Sequence, residues 1–169
     1  MEHEQLLRIV YDAIEAHLSK KAFQPPELPS PWDVARPVFV TLRTAEGNLR
    51  GCIGHLQATR SSLADEIAND AVSAAIRDTR FKPVTAAELP SLQFSISILG
   101  EPEPVADVAE LDCKVYGVIV AHKGRRGVLL PDIQGVDSVE EQIRIARRKG
   151  GIAEGEDCHI SRFIVTKIS

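Results

Sequence analysis

The first stretch of the chain repeats apolar side chains at helical spacing. Separations of three and four residues place side chains on one face of an α-helix. The pattern therefore predicts an amphipathic helix over residues 3–19. Its apolar positions are Leu7, Val10, Tyr11, Ile14 and Leu18.

Two later segments combine a helix start signal with an apolar stripe. Ser62 can cap a helix at the backbone of Asp65, and small apolar side chains follow at helical spacing. Ser138 can cap another that runs to Lys149, where Gly150 is expected to take the left-handed conformation that ends many helices. The alanine-rich stripe of the first of these helices should pack closely on a sheet.

The remaining apolar runs have the short, β-branched character of strands. They predict a hairpin of residues 37–43 with 49–55, a strand over 92–98, a hairpin of 117–121 with 128–130, and a final strand over 163–168. The second hairpin should turn through the basic segment 122–127. Proline-rich residues 21–36 predict an extended connection. Hairpins interspersed with helices favour an α+β fold with a mixed, mainly antiparallel sheet and flanking helices.

Composition fits one domain over residues 1–169. The chain is 44% hydrophobic, and 20 Lys and Arg against 24 Asp and Glu give a net charge of -4, which argues against polyanion binding. We expect a cytoplasmic protein that makes no use of a membrane, because the first residues are polar and acidic and no apolar run is long enough to span a bilayer. Three widely spaced cysteines are expected to be free thiols.

The segment Leu49–Gly54 has the residue types of a reactive thiol site. Arg50 and Cys52 are two apart on a predicted strand, so their side chains should leave the same face. A neighbouring cation favours the nucleophilic thiolate, and Gly51 and Gly54 allow a backbone or a ligand to approach closely. The alternative is that Cys52 is a small buried apolar residue and that Arg50 extends to solvent.

Several motifs, in this order and spacing, resemble the AMMECR family. The resemblance spans about residues 38–151. It rests on these segments: Phe39–Leu42, the hallmark Leu49–Gly54, Asp78–Phe81, Pro83–Val84, Glu88–Leu89 and Gly127–Pro131.

The resemblance implies a fold of two unequal lobes, the larger built from both ends of the chain. It implies no settled activity. Microbial members are often encoded beside, or fused to, a Memo-type protein and a radical S-adenosylmethionine enzyme, which become expected partners. The chain departs from the usual pattern at residues 149–152 and between Pro131 and Ser138, so a site formed there is less secure.

The loop after the second helix adds further candidates. Asp78 and Arg80 either close a pocket over the hallmark or pair to hold the helix end. His55 can serve as a base for Cys52, although strand alternation points it to the opposite face. We expect catalytic roles for Cys52, Arg50 and Asp78, and binding roles for Gly51, Ile53, Gly54, His55 and Arg80.

Other chemistry has weaker signals. The cysteines and Cys158-His159 lack the paired spacing of zinc sites, so we expect no metal, and no cofactor is indicated. Lys123, Arg125 and Arg126 can contact nucleic acid, but few aromatic residues are available for stacking, so such a partner is disfavoured.

Three functions remain open. The favoured one is an enzyme or enzyme component that acts on a small polar molecule through the Cys52 thiolate. The second is a non-catalytic adaptor for the Memo-type or radical S-adenosylmethionine protein. The third is a nucleic-acid binder.

Overall fold

In the computed structural model, which describes residues 2–169, the chain forms three α-helices and antiparallel sheet structure, so the α+β prediction is confirmed. It divides into two compact units. Unit 1 holds the described residues up to Ile98 together with Thr166–Ser169, and unit 2 is Leu99–Val165. Two unequal parts, the larger including both chain ends, are what the family resemblance implied.

Unit 1 contains two helices and a three-stranded antiparallel meander. Strand β1 lies between β2 and β3, with Thr41 opposite both Cys52 and Ser95. The predicted hairpin 37–43 with 49–55 is confirmed. The elements are α1 (Glu2–Leu18), β1 (Val38–Arg43), β2 (Leu49–Gly54), α2 (Leu63–Ile76), a 3-10 turn (Leu89–Ser91) and β3 (Gln93–Leu99).

The core of unit 1 lies between the helices and one face of these strands. Alternate residues of β1 are fully buried, and the apolar faces of α1 and α2 pack against them. The alanine stripe of α2 belongs to this core, as its small side chains predicted. Residues 21–36 form no helix or strand, yet Phe23, Leu28 and Trp32 pack against the core.

Unit 2 is a second antiparallel arrangement with one helix. Strand β5 lies between β6 and β7, the short β4 pairs with β7, and α3 packs on β5 and β6. The core contains Val118, Val120 and Ala146. The elements are β4 (Glu103–Pro104), a 3-10 turn (Val108–Glu110), β5 (Tyr116–His122), β6 (Arg125–Leu129), α3 (Val139–Lys149) and β7 (His159–Ile168).

Three local expectations for unit 2 were wrong. The hairpin turn is only Lys123-Gly124, both at positive φ, because the strands extend through His122 and Arg125. Gly150 keeps a right-handed conformation, and Gly151 takes the positive φ after α3. The last strand begins four residues early, at His159, because residues 159–162 pair with β5.

Among residues 2–169 no helix combines the length and the apolar character needed to span a membrane.

Candidate functional site

The hallmark segment is the edge strand β2, which pairs with β1 on one side. Strand alternation gives it two sides. We call the side that carries Arg50 and Cys52 the thiol side. The side that carries Gly51, Ile53 and, just past the strand end, His55 faces α2 and is called the helix side.

The glycines of the hallmark are explained by close backbone packing. A Cβ atom on Gly51 would lie 2.2 Å from the carbonyl oxygen of Ala74 in α2. One on Gly54 would lie 2.3 Å from the carbonyl oxygen of Val38 and would overlap the Phe39 ring. The sequence left open whether a protein backbone or a ligand approaches these glycines. The structure shows that a protein backbone does.

Arg50 is held by an ion pair with Glu88. Its Nε and Nη2 donate to the two carboxylate oxygens of Glu88 at 2.5 and 3.2 Å, and its side chain is only 15% exposed. These bonds lower the pKa of Glu88. Glu88 also exchanges hydrogen bonds with Thr85 in the manner of a capping box. Arg50 thus fixes the loop to β2 and does not extend to solvent.

Asp78 joins the thiol side to the loop after α2. Its Oδ2 accepts from the backbone N–H of Cys52 at 3.0 Å, a donor that an edge strand would otherwise leave unpaired. The same carboxylate accepts from Arg80 Nε at 3.0 Å and Nη2 at 2.7 Å. The Arg80 bonds hold the pKa of Asp78 far below its usual range, although burial opposes this.

The Cys52 thiol is half-buried beside a hydroxyl group and near a cation. Its Sγ lies 3.3 Å from Thr41 Oγ1. The Arg80 guanidinium reaches this side of β2 through Asp78, whose Oδ2 accepts from both Arg80 Nη2 and the Cys52 N–H. Arg80 is 57% exposed and lies over the Phe81 ring. Glu88 engages Arg50, whereas Asp78 accepts hydrogen bonds from both Arg80 and the Cys52 N–H and so brings the Arg80 cation close to Cys52.

His55 turns away from Cys52 to α2, as strand alternation indicated. Its Nδ1 lies 3.2 Å from Asp70 Oδ1 and 3.8 Å from Glu66 Oε1, and both carboxylates are fully buried. Burial raises the pKa of Asp70, with partial compensation from His55. His55 is therefore not positioned to take a proton from Cys52 in this arrangement.

The other cysteines lie in unit 2. Cys113 is buried, whereas the Sγ of the half-buried Cys158 accepts from Arg147 Nη2 at 3.0 Å. In the basic hairpin, Arg125 pairs with Glu156, so part of the positive charge offered to a polyanion is neutralised.

The sequence-predicted site residues thus fall into two groups. Hydrogen bonds join Cys52, Asp78 and Arg80 on the thiol side, where Arg50 also lies but pairs with Glu88, whereas His55 belongs to a different cluster. Sequence reasoning missed Glu88 as the partner of Arg50, 38 residues away, although the Glu88-Leu89 motif marked that position. It also missed Glu66 and Asp70, whose signal was two acidic residues one turn apart on a stripe of buried alanines.

A sizeable cavity lies elsewhere in unit 1. It has a volume of about 490 Å³ and is lined by residues of α1, α2 and the segments that follow α1 and precede α2, His17, Lys21 and Arg60 among them. Cys52 is not among the residues that line this cavity.

Comparison with known proteins agrees with this architecture. A Thermotoga maritima protein is 53% identical over 130 residues, covering 76% of this chain and 75% of its own length. A Clostridium acetobutylicum protein is 45% identical over 135 residues, and the match covers 80% of this chain but only 28% of that protein. The crystal structure of a Pyrococcus horikoshii protein superposes with a TM-score of 0.79 at 28% identity, covering 96% of this chain and 88% of that one.

A match to a protein-family model identifies the family of this chain. The AMMECR1 model matches residues 7–168, nearly the whole sequence. The hallmark strand, the loop that Asp78 and Glu88 fasten to it, and the β-hairpins all lie inside the matched region. The chain belongs to the AMMECR1 family.

Proposed function

We propose that the protein acts on a small polar molecule through the Cys52 thiol, as an enzyme or as a component of one. One observation carries the proposal: the buried Asp78 carboxylate binds both the Cys52 N–H and the Arg80 guanidinium. The Asp78 carboxylate therefore holds both Cys52 and the neighbouring Arg80 guanidinium in place.

The arrangement fits nucleophilic chemistry. A cation near a thiol stabilises the thiolate, which is the form that attacks an electrophilic carbon. The Thr41 hydroxyl at 3.3 Å can donate to the sulfur as it becomes charged. The exposed part of the Arg80 guanidinium can bind an anionic or strongly polar group of the substrate.

The first experiment measures alkylation of Cys52 by iodoacetamide at pH 7, followed by intact mass, in a C113S/C158S variant. We expect Cys52 to react faster in the folded protein than a cysteine in a short unfolded peptide. Arg80→Ala should slow the reaction by about threefold to tenfold, the range of one hydrogen bond or nearby charge. Arg77→Ala is the control, because Arg77 is exposed and lies three residues before Arg80.

Two results contradict the proposal. One is a Cys52 that stays unmodified until the protein unfolds, which would make it a structural residue. The other is a Cys52→Ser variant that restores every phenotype of a strain lacking the gene, because serine keeps the size of the side chain and loses the thiolate.

A second candidate function is a binding module. This chain matches only 28% of the Clostridium acetobutylicum relative, so in that protein the domain is part of a longer chain. That supports a role beside another domain or partner, for which we propose the Memo-type or radical S-adenosylmethionine protein. Leu56, which follows the hallmark and is 49% exposed, gives an apolar contact point.

The adaptor role is tested with purified partners under anaerobic conditions. If it holds, a titration monitored by calorimetry should give a saturable complex that Leu56→Asp weakens and Val115→Asp does not. Val115 is the control because it is similarly exposed, at 51%, and lies in unit 2. Absence of a complex with both proteins would remove this candidate and leave the thiol chemistry untouched.

A further inference from the structure

A second cluster of polar groups lies on the helix side of β2, and the thiol chemistry makes no use of it. Glu66 and Asp70 are four residues apart on α2, so they lie one above the other on the same helix face. Past the end of β2, alternation carries His55 to that face. The imidazole Nδ1 therefore meets two carboxylates that are fully buried.

We propose that His55, Glu66 and Asp70 bind a divalent transition-metal ion, with zinc as the best representative. An imidazole nitrogen with two carboxylate oxygens is a ligand set that suits zinc and its neighbours. This inference departs from the expectation of no metal, which considered only the spacing of cysteines and histidines. It is also independent of the Cys52 proposal.

The distances fit such an ion. Tetrahedral zinc with bonds of about 2.0 Å places neighbouring ligand atoms about 3.3 Å apart. The Nδ1 of His55 lies 3.2 Å from Asp70 Oδ1 and 3.8 Å from Glu66 Oε1, and one ligand atom from each residue lies within 4.8 Å of the others. Small side-chain movements would bring these three atoms onto one ion.

Neighbouring groups already hold the carboxylates in place. Both the Thr59 and Arg60 backbone N–H groups donate to Glu66 Oε2 at 2.7 Å, and the Thr59 hydroxyl donates to Oε1 at 2.9 Å. Asn69 Nδ2 donates to Asp70 Oδ1 at 3.1 Å. Hydrogen bonds of this kind orient metal ligands and tune their basicity.

Charge supplies the reason for a cation at this position. Two carboxylates with no exposed surface lie close together, and among residues 2–169 each forms an ion pair with His55. The nearby Arg60 guanidinium donates to the Asn69 amide oxygen. A divalent ion would compensate the buried negative charge, and the His55 side chain, 43% exposed, gives it a route from solvent.

The test uses the full chain, stripped with EDTA, and titrates it with Zn²⁺ by calorimetry. We expect one equivalent to bind and to raise the melting temperature, and we expect EDTA to reverse the shift. Asp70→Asn and His55→Gln should each weaken binding at least about tenfold. His159→Gln, an exposed histidine in unit 2, is the matched control and should bind as the wild type does.

Cobalt distinguishes this site from the cysteines. Co²⁺ bound to oxygen and nitrogen gives visible bands without the sulfur charge-transfer band in the near ultraviolet. A spectrum with that band, binding that survives both substitutions, or no binding by a folded protein would each overturn the proposal. Circular dichroism of the metal-free variants establishes that loss of binding is not loss of folding.

Discussion

The buried carboxylates on the two sides of β2 have pKa values shifted in opposite directions. On the thiol side, Asp78 accepts two bonds from the Arg80 guanidinium and one from the Cys52 N–H, and its pKa falls. On the helix side, Asp70 has no exposed surface and faces His55 and Glu66, and burial raises its pKa. The comparison teaches that a buried carboxylate stabilises the fold where its partners outweigh the cost of burial, as at Asp78, and not where burial dominates, as at Asp70.

The largest effect should come from packing on the helix side. Gly51→Ala places a methyl group against the α2 backbone at Ala74, which cannot move without displacing the helix. We expect a loss of roughly 3 kcal/mol in the free energy of unfolding, measured by urea denaturation. Cys52→Ala, the next residue on the opposite side, should cost less than about 1 kcal/mol. Equal losses would mean that the two sides are packed alike.

The next largest loss in the free energy of unfolding should come from replacing Asp78, the carboxylate that pairs with Arg80. Asp78→Asn weakens the charge-assisted bonds to Arg80 and Cys52, and we expect a loss of roughly 2 kcal/mol at pH 7. Because folding lowers the pKa of Asp78, its contribution is fully present above the unfolded value of about 3.9 and declines as the pH falls below it.

Urea denaturation of the wild type and Asp78→Asn between pH 7 and pH 2 measures this. The difference between the two proteins should be constant above about pH 5 and shrink toward acid. A difference that grew on acidification would show that Asp78 does not owe its stabilising effect to the ionised form.

The sequence predicted some parts of this structure and not others. The strands and helices followed from local periodicity, and so did the orientation of His55 away from Cys52, since each depends on neighbours along the chain. The partners of Arg50 and Cys52 did not, because Glu88 and Asp78 lie 38 and 26 residues away. Local patterns carry no information on which loop a strand edge meets.

The same reasoning explains the errors. The sequence predicts a turn over 122–127, whereas the structure has a two-residue turn at Lys123-Gly124. The difference arises because His122 pairs with Arg125, and a run of basic side chains gives no indication of strand pairing. The missed cluster on α2 consists of charged residues on a face that periodicity assigns to the core. Only their burial beside His55 separates them from ordinary solvent-exposed acids.

A smaller effect, of opposite sign, is expected for Asp70, the buried carboxylate that pairs with His55 and not with an arginine. Asp70→Asn removes a buried charge while keeping the size of the side chain and its capacity for hydrogen bonds. In the presence of EDTA at pH 7 the free energy of unfolding should therefore stay within about 0.5 kcal/mol of the wild type or rise by up to about 1 kcal/mol. Added Zn²⁺ should then stabilise the wild type more than the variant. A loss as large as that of Asp78→Asn would show that the Asp70 charge is as well compensated as that of Asp78.

The smallest effect should appear in reactivity alone. Thr41→Val removes the hydroxyl 3.3 Å from the Cys52 sulfur and keeps the branched shape that suits β1. If that hydroxyl donates to the thiolate, alkylation of Cys52 at pH 7 should slow by about threefold, the effect of one modest hydrogen bond. Ser95→Ala, opposite Thr41 on the other neighbouring strand, is the control and should leave the rate unchanged. A faster reaction in Thr41→Val would mean that the hydroxyl shields the sulfur, so that the thiol side depends on Arg80 alone for activation.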